Sequence, residues 1–273
     1  MKRLLTAAVG LPLVLFATFR FPPLGFFIFG VLTLGLASVE FAGIARAWAP
    51  RLPRLVLPPL VVGLAALLAL PEAAQSFSAN AVFGVLIALS IGVSTLALLS
   101  RTPLEQVPAT IGTLAFGIPY FALPIASVCH LQRTDPWLVF LLLAINWLGD
   151  TAAYYVGSTW GKHRLAPVVS PKKTWEGAAA GLAIGIAATL VWSLARLGRV
   201  EVALLVVGVA TAIAGQLGDL VESLFKRHAG IKDSGNLLPG HGGIFDRSDA
   251  LLFGAPVLWY GLLVAQPWLS LAR

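Results

Sequence analysis

The sequence predicts an all-α fold: a polytopic integral membrane protein in which about nine transmembrane helices form a bundle with a cytoplasmic N-terminus. Composition is the first observation, because 58% of the 273 residues are hydrophobic and only 11% are charged, whereas soluble domains carry about 25% charged residues. The second observation is that apolar runs of bilayer length recur along the chain. The third is that Lys and Arg gather on alternate connections between these runs. Together these observations exclude an ordinary soluble protein.

The apolar runs, taken in order, give the predicted spans. A helix crosses roughly 30 Å of hydrocarbon with about 20 residues. Runs of suitable length cover residues 4–20, 23–45, 55–70, 79–99, 107–128, 136–158, 174–195, 200–227 and 250–271. The third run is the shortest. The first follows a basic N-terminus, but no A-x-A-like site separates it from the second, so we interpret it as an uncleaved span.

The connections between the runs predict the orientation. When they are assigned alternately to two sides, 14 of the 19 Lys and Arg residues fall on the side of the N-terminus, and the others are Arg20, Arg133, Arg196, Arg199 and Arg273. The positive-inside rule then places the N-terminus in the cytoplasm, and an odd number of spans places the C-terminus outside. The polar connections 157–174 and 226–249 therefore face the cytoplasm. Topology accounts for most of the net charge of +7, so no nucleic-acid partner is indicated.

The candidate site carboxylates inside the predicted spans are Glu40, Asp150, Asp219 and Glu222. A charged side chain at the centre of a bilayer costs roughly 2.5–3.5 kcal/mol on insertion scales, so each one needs a functional or a pairing reason. We interpret Glu40 as an interfacial residue that pairs with a nearby arginine. The single cysteine, Cys129, excludes an intrachain disulfide.

The sixth span carries a polar stripe, because Asn146, Asp150 and Tyr154 recur at i, i+4 and i+8. This stripe could meet the face that carries Asp219 across the bundle. Structural pairing of helices and contact with a substrate both explain the stripe, and the sequence leaves the two alternatives open.

The connection 157–174 ends in a basic segment beside a predicted helix start. Ser170 and Pro171 precede Lys172 and Lys173, and Thr174 is placed to cap the seventh helix. A helix N-terminus next to two ammonium groups suits a phosphate. The alternative is that these lysines only obey the positive-inside rule and touch anionic lipid head groups. The segment by itself leaves both alternatives open.

The densest polar stretch runs from residue 216 to 249. It begins on one helical face with Asp219, Ser223, Lys226 and Arg227, and Glu222 borders that face. The helical pattern fails at Gly230, and the glycine-rich loop that follows can bring backbone N–H groups close to a phosphate.

Single residues of this stretch have simpler explanations. A helix-capping pair would explain Asp246 and Asp249, and His241 alone is more typical of a loop histidine. Neither explains why carboxylates, cations and a glycine-rich turn assemble in one segment of a hydrophobic protein. Acidic oxygens without a Cys/His cluster favour Mg²⁺ over zinc, and Mg²⁺ beside Lys and Arg is typical of phosphoryl or nucleotidyl transfer.

The spacing of this stretch matches a known signature. The matching residues are Gly218, Asp219, Glu222, Ser223, Lys226, Arg227, Lys232, Asp233, Gly235, Leu238, Pro239, His241, Gly242, Gly243, Asp246, Arg247 and Asp249. The pattern resembles the phosphatidate cytidylyltransferases, also called CDP-diacylglycerol synthases. Residues 170–177, together with Asp150 and Tyr154, look like further family features, and Ser248 departs from the apolar residue usual in the family. The first half of the chain matches only in being hydrophobic.

The resemblance implies that CTP and phosphatidate react to give CDP-diacylglycerol and pyrophosphate. It also implies that the protein lies in the cytoplasmic (inner) cell membrane and that its active site faces the cytoplasm. We expect one membrane domain, 1–273, in which 1–135 are mainly scaffold spans and 136–273 carry the catalytic loops and spans. The expected partners are CTP, phosphatidate and membrane lipids, and a homodimer is left open.

The resemblance also implies roles for individual residues. Asp219 and Asp246 are the first-choice Mg²⁺ ligands, Asp249 and Glu222 are secondary candidates, and a second cation is left open. The expected catalytic residues are Asp219, Lys226, His241, Asp246 and Arg247. The expected substrate-binding residues are Asp150, Tyr154, Lys172, Lys173, Ser223, Arg227, Lys232, Asp233, Gly242 and Gly243.

Two other functions compete with this hypothesis. An ion-coupled transporter would also carry acids inside its spans, but here the polar density lies at one membrane face and we see no repeated halves. The second competing function is that of another CTP-using lipid enzyme, such as a polyprenol kinase or an archaeal-type lipid cytidylyltransferase. Chain length and span number favour the phosphatidate enzyme.

Overall fold

The computed structural model describes residues 2–52, 54–69, 79–99, 102–237 and 242–266. The helices in these ranges are α1 Lys2–Arg20, α2 Pro23–Ala45, α3 Leu57–Leu68, α4 Ala79–Leu99, α5 Val107–Thr134, α6 Pro136–Thr159, α7 Trp175–Leu197, α8 Val202–His228 and α9 Phe245–Ala265. A 3₁₀ turn, Leu104–Gln106, precedes α5. Two short strands, β1 Arg164–Ala166 and β2 Ser170–Thr174, lie between α6 and α7. The helical fold class is confirmed.

Helix length decides which elements can cross a bilayer. Six helical stretches are long and apolar enough, namely Pro23–Ala45, Leu104–Thr134, Pro136–Thr159, Trp175–Leu197, Val202–His228 and Phe245–Ala265. Shorter apolar stretches are Ala8–Arg20, Leu57–Leu68 and Ile87–Leu99. The 12 residues of α3 rise only about 18 Å, which is less than the roughly 30 Å of hydrocarbon. The chain is therefore a multi-pass membrane protein, and these lengths give six crossing candidates among the described residues rather than nine.

Capping residues fix the starts of two helices near polar connections. Asp135 precedes α6, and its side chain accepts a 3.0 Å hydrogen bond from the backbone N–H of Trp137. Thr174 precedes α7 and accepts a 3.1 Å hydrogen bond from the backbone N–H of Gly177. The predicted cap at Thr174 is confirmed.

The end of α8 follows from one glycine. Gly230 has a φ of +70°, which side chains with a Cβ rarely adopt. The N–H of Gly230 donates to the carbonyl of Arg227 at 3.1 Å, and the N–H of Ile231 donates to the carbonyl of Lys226 at 3.0 Å. This pair of bonds forms a Schellman motif, which satisfies carbonyls at the helix end. The predicted break at Gly230 is confirmed.

Two helices extend more than a full turn beyond the predicted spans. α5 continues to Thr134 and contains Pro119 and Pro124, which is tolerated in membrane helices where neighbouring groups satisfy the freed backbone. α9 begins at Phe245 rather than at residue 250. Its first turn is polar, so a search for apolar runs starts the helix too late.

The connection between α6 and α7 contains an antiparallel β-hairpin that the sequence did not predict. Arg164 pairs with Thr174, and Ala166 pairs with Ser170. The hairpin base is held by His163, whose Nδ1 lies 2.6 Å from a carboxylate oxygen of Glu176. The strands have three and five residues, so neither is long enough to display a clear alternation of polar and apolar residues.

The chain divides into two compact units. The first unit comprises Met1–Leu11, Pro22–His130 and Phe225–Arg247. Its core contains an aromatic cluster in which the ring of Phe41 lies 5.6 Å from Phe121, 5.2 Å from Phe225 and 5.9 Å from Phe245. These contacts connect α2 and α5 to the end of α8 and the start of α9, which border the glycine-rich loop.

The second unit comprises Pro12–Phe21, Leu131–Leu224 and Ser248–Arg273. Within it, α6 and α7 pack closely enough that a Cβ added to Gly149 would lie 3.3 Å from the carbonyl oxygen of Gly181. The indole N–H of Trp192 donates to the carbonyl of Trp137 at 2.9 Å. The hairpin thus connects two closely packed helices.

Candidate active site

Three of the four predicted metal ligands lie together in the second unit. Oxygen atoms of Asp219, Glu222 and Asp249 all lie within 4.8 Å of one another. Glu222 is only 1% exposed, and the other two side chains are partly buried. Carboxylates this close repel one another unless a cation or a shared proton offsets their charge. We refer to these three residues as the acidic cluster.

Helical spacing and one close helix contact create the acidic cluster. Asp219 and Glu222 are three residues apart on α8, so they lie on neighbouring positions of one face. A Cβ added to Gly218 would lie 2.5 Å from the backbone carbonyl oxygen of Asp249. Only glycine allows the backbones of α8 and α9 to approach so closely here. This contact brings Asp249 to the two acids on α8.

A lysine from the hairpin reaches the acidic cluster. The Nζ atom of Lys173 lies 2.6 Å from a carboxylate oxygen of Asp219. Lys173 is on β2, directly before the capped N-terminus of α7, and its neighbour Lys172 is exposed. The unpredicted hairpin thus explains how a residue from the connection reaches an acid on α8.

The predicted polar stripe of α6 has two environments. Asn146 is buried, and its amide donates to the carbonyl of Leu142 at 2.8 Å. Asp150 is exposed, and Tyr154 is 70% exposed. Packing inside the second unit explains Asn146, whereas the exposed pair remains accessible to a ligand or to lipid.

The first unit contains a buried ion pair between two predicted catalytic residues. The Nζ atom of Lys226 lies 2.7 Å from Oδ1 of Asp246, and their side chains are 11% and 4% exposed. The other oxygen of Asp246 accepts hydrogen bonds from the backbone N–H of Ser234 at 2.8 Å, the hydroxyl of Ser234 at 2.9 Å and the N–H of Gly243 at 2.7 Å. Asp246 therefore holds both sides of the glycine-rich loop to the end of α8.

Within the described ranges, the partners of Glu40 lie in the glycine-rich loop and at the start of α9, and the arginine we expected is not among them. The carboxylate of Glu40 accepts hydrogen bonds from the hydroxyl of Ser234 at 3.0 Å, the N–H of Ile244 at 3.2 Å and the N–H of Phe245 at 2.8 Å. Sequence reasoning therefore missed Glu40 and Ser234 as residues of this region. The sequence pointed to Glu40 only through its position as a carboxylate inside an apolar run. It contained no feature that pointed to Ser234.

A cavity of about 420 Å³ adjoins these residues in the first unit. Glu40, Ser234 and Ile231 line it, together with the exposed Arg54. The loop after α8 thus borders open space on one side and the carboxylate of Glu40 on another.

The remaining predicted residues lie in varied surroundings. Ser223 is buried, and a guanidinium nitrogen of Arg227 donates to the carbonyl of Ile231 at 3.1 Å. Arg227 is exposed, as are Lys232, Asp233 and Arg247. Gly242 has a φ of +82° in the turn before α9. The predicted His241 lies outside the described residues.

Comparison with known proteins shows the family of this chain. A model of the cytidylyltransferase family matches residues 1–265. The phosphatidate cytidylyltransferase of Bacillus subtilis is 35% identical over 241 residues, which cover 85% of this chain and 87% of that protein. The enzyme of the same name from Staphylococcus haemolyticus is 37% identical over 195 residues, 69% of this chain and 72% of that protein. That of Staphylococcus epidermidis is 48% identical over 123 residues, 45% of this chain and 47% of that protein.

The apolar helices and the match to this family identify the chain as a membrane-embedded nucleotidyltransferase. The chain belongs to the cytidylyltransferase family.

Proposed function

We propose that this protein is a phosphatidate cytidylyltransferase, which converts CTP and phosphatidate into CDP-diacylglycerol and pyrophosphate. The names of the similar proteins support this substrate pair. The structural observation that carries the proposal is the acidic cluster with the Nζ of Lys173 at 2.6 Å from Asp219. Carboxylates that could hold a metal ion beside ammonium groups that could hold phosphates are typical equipment for nucleotidyl transfer.

The chemistry explains why charge is the central requirement. A phosphate oxygen of phosphatidate forms a bond to the α-phosphorus of CTP, and the bond from that phosphorus to the β-phosphate bridging oxygen breaks. The attacking oxygen is already anionic at neutral pH, so no strong general base is needed. Two anions must nevertheless approach in line, and a polyanion must leave. Positioning and electrostatic stabilisation therefore supply most of the catalysis.

The acidic cluster fits Mg²⁺. Its donors are carboxylate oxygens, which this hard cation prefers. They lie within 4.8 Å of one another. Asp219, Glu222 and Asp249 would hold the ion, which when bound would neutralise triphosphate charge. Asp246 was an equal first choice from sequence, and its role as a ligand stays a prediction.

The basic residues would bind the two substrates. Lys172 and Lys173 stand at the N-terminus of α7, where free N–H groups, the helix dipole and two ammonium charges all favour a phosphate. Lys226 would stabilise negative charge while Asp246 fixes its position. The exposed cations Arg227, Lys232 and Arg247 remain candidates for either substrate. We propose that these groups face the cytoplasm, as the distribution of Lys and Arg predicts.

Pyrophosphate release from purified protein tests this function. The protein in lipid nanodiscs receives CTP, phosphatidate and Mg²⁺, and the control reactions omit one component each. We expect pyrophosphate only in the complete mixture and an equal amount of CDP-diacylglycerol. Nucleotide turnover that does not require phosphatidate would contradict the proposal. Ligand flux without nucleotide turnover would instead indicate a transporter.

A further inference from the structure

We propose that Glu40, on α2 in the first half of the chain, is a positioning residue that holds the glycine-rich loop and the N-terminus of α9 in their active arrangement. This inference rests on the proposed function for its catalytic consequence. Its structural part stands independently, because it concerns contacts within the first unit. Neither the sequence signature nor the metal cluster includes Glu40.

The contacts of Glu40 reach both ends of the loop. Before the loop's glycines, the hydroxyl of Ser234 donates to one carboxylate oxygen at 3.0 Å. After them, the N–H groups of Ile244 and Phe245 donate at 3.2 and 2.8 Å. A Cβ added to Gly235 would lie 2.6 Å from a carboxylate oxygen of Glu40, and one added to Gly243 would also collide with it. The loop therefore encloses this carboxylate closely.

Glu40 serves as a long-range helix cap. The first N–H groups of any helix lack partners within the helix, and a side chain close in sequence usually satisfies them. For α9 the cap lies 204 and 205 residues earlier in the chain. A carboxylate suits this position because its negative charge also interacts favourably with the helix dipole.

Ser234 transmits the effect of Glu40 to the ion pair. Its hydroxyl contacts the carboxylates of both Glu40 and Asp246, at 3.0 and 2.9 Å. Asp246 in turn holds Lys226 at 2.7 Å. A hydroxyl has one hydrogen to donate, so the two acids share Ser234, and displacement of Glu40 would change how Ser234 binds Asp246.

Open space beside the loop makes these hydrogen bonds important. Glu40, Arg54, Ile231 and Ser234 line the cavity, so open space adjoins the loop at Ile231 and Ser234. Where packing does not fix a segment, its polar contacts must do so. When reacting groups shift by about 1 Å, the rate can fall about 100-fold. The carboxylate of Glu40 therefore matters for catalysis as well as for the conformation of the loop.

The test compares Glu40→Gln with Glu105→Gln. Both variants remove one carboxylate from the first half, but Glu105 is exposed in the 3₁₀ turn. We measure hydrogen exchange of the amides from 231 to 237 and from 242 to 247, together with kcat and KM for CTP and thermal unfolding. For Glu40→Gln we expect faster exchange in both segments and a kcat/KM lower by about 10–100-fold, as for other residues that support reacting groups. Glu105→Gln should match the wild type.

A double mutant separates positioning from general destabilisation. If Glu40 acts through Ser234, Glu40→Gln combined with Ser234→Ala should be little worse than the more damaging single change. Multiplicative losses would overturn the proposal. So would wild-type exchange rates in Glu40→Gln, or an activity loss that only follows the unfolded fraction.

Two further outcomes keep the test decisive. If Glu40→Gln does not fold, Glu40→Asp keeps the charge on a shorter side chain, and we expect it to show the faster exchange; unchanged exchange in that variant would overturn the inference. If the wild type releases no pyrophosphate, the proposed function fails, whereas the exchange comparison still tests the anchoring role of Glu40.

Discussion

At the scale of single residues, the carboxylates of Asp219, Glu222 and Asp249 are the groups placed to hold a metal ion. Burial weakens solvent screening, so their mutual repulsion is larger than it would be in water. A divalent cation held there would offset this repulsion and would be available to phosphate oxygens. The cluster contains only residues that the sequence had singled out. The sequence could not rank them, because their grouping depends on the contact between Gly218 and α9.

Neutral substitutions test the acidic cluster. Asp219→Asn or Asp249→Asn should each lower activity by about 100-fold or more, and the double variant should be little worse, because the two residues act as one site. Titration with Mg²⁺ by calorimetry should show a weakened affinity in both single variants. Asp246→Asn in the same series tests whether that acid is also a ligand. Unchanged Mg²⁺ affinity in Asp219→Asn would refute the cluster as the metal site.

The ion pair of Lys226 and Asp246 gives a prediction about stability. Removing one partner leaves the other charge buried, which typically costs about 3–5 kcal/mol. Lys226→Met and Asp246→Asn should therefore lower the free energy of unfolding, and combining the two should recover part of the loss. Thermal unfolding in detergent measures this, with Lys232→Met as an exposed control. Single variants as stable as the wild type would mean that the pair is not buried in the membrane-bound protein.

At the scale of elements, the hairpin shows what the sequence could not predict. Apolar runs located the helices well because a bilayer imposes their length and composition. Thr174 predicted the start of α7 and Gly230 the end of α8, because a capping side chain and a glycine act on the backbone next to them. The two strands are too short for a periodic signal, and the contacts of Glu40 join residues up to 205 positions apart. No local pattern can reveal a partner at that separation.

The two lysines at the N-terminus of α7 can be tested by substitution. Changing Lys172 and Lys173 together to Gln removes charge-assisted contacts worth roughly 1.5–3 kcal/mol each, so activity should fall by about 10²–10⁴-fold. Lys162→Gln, in the same connection and exposed, is the matched control. Steady-state kinetics with correctly inserted protein measure the effect. Near-normal turnover in the double variant would favour contact with lipid head groups instead.

At the scale of the whole molecule, the number of crossings determines where the termini lie. Nine spans place the N-terminus in the cytoplasm and the C-terminus outside, whereas six would place both termini on one side. Reporters fused before Met1 and after Arg273 distinguish these cases. We expect a cytoplasmic signal for the first fusion and an outside signal for the second. Reporters on the same side would show that at least one short helix, such as α3, does not cross.

Cysteine labelling locates the two loops that flank α7. Cys129 is buried, so its replacement by Ala gives a background for single exposed cysteines. Lys162→Cys should react with a membrane-impermeant maleimide only from the cytoplasmic side, and Val200→Cys only from the outer side. The background variant is the control. Reaction of both cysteines from the same side would contradict the predicted crossing by α7.

The fate of the phosphates of CTP tests the central claim of nucleotidyl transfer most directly. Protein in nanodiscs with phosphatidate and Mg²⁺ receives CTP labelled at either the α- or the γ-phosphorus. The α-label should enter the lipid as CDP-diacylglycerol, while the γ-label should appear only in soluble pyrophosphate. Asp219→Asn should reduce both signals together. Transfer of the γ-label to a lipid would show a kinase, and that result would contradict the proposed function.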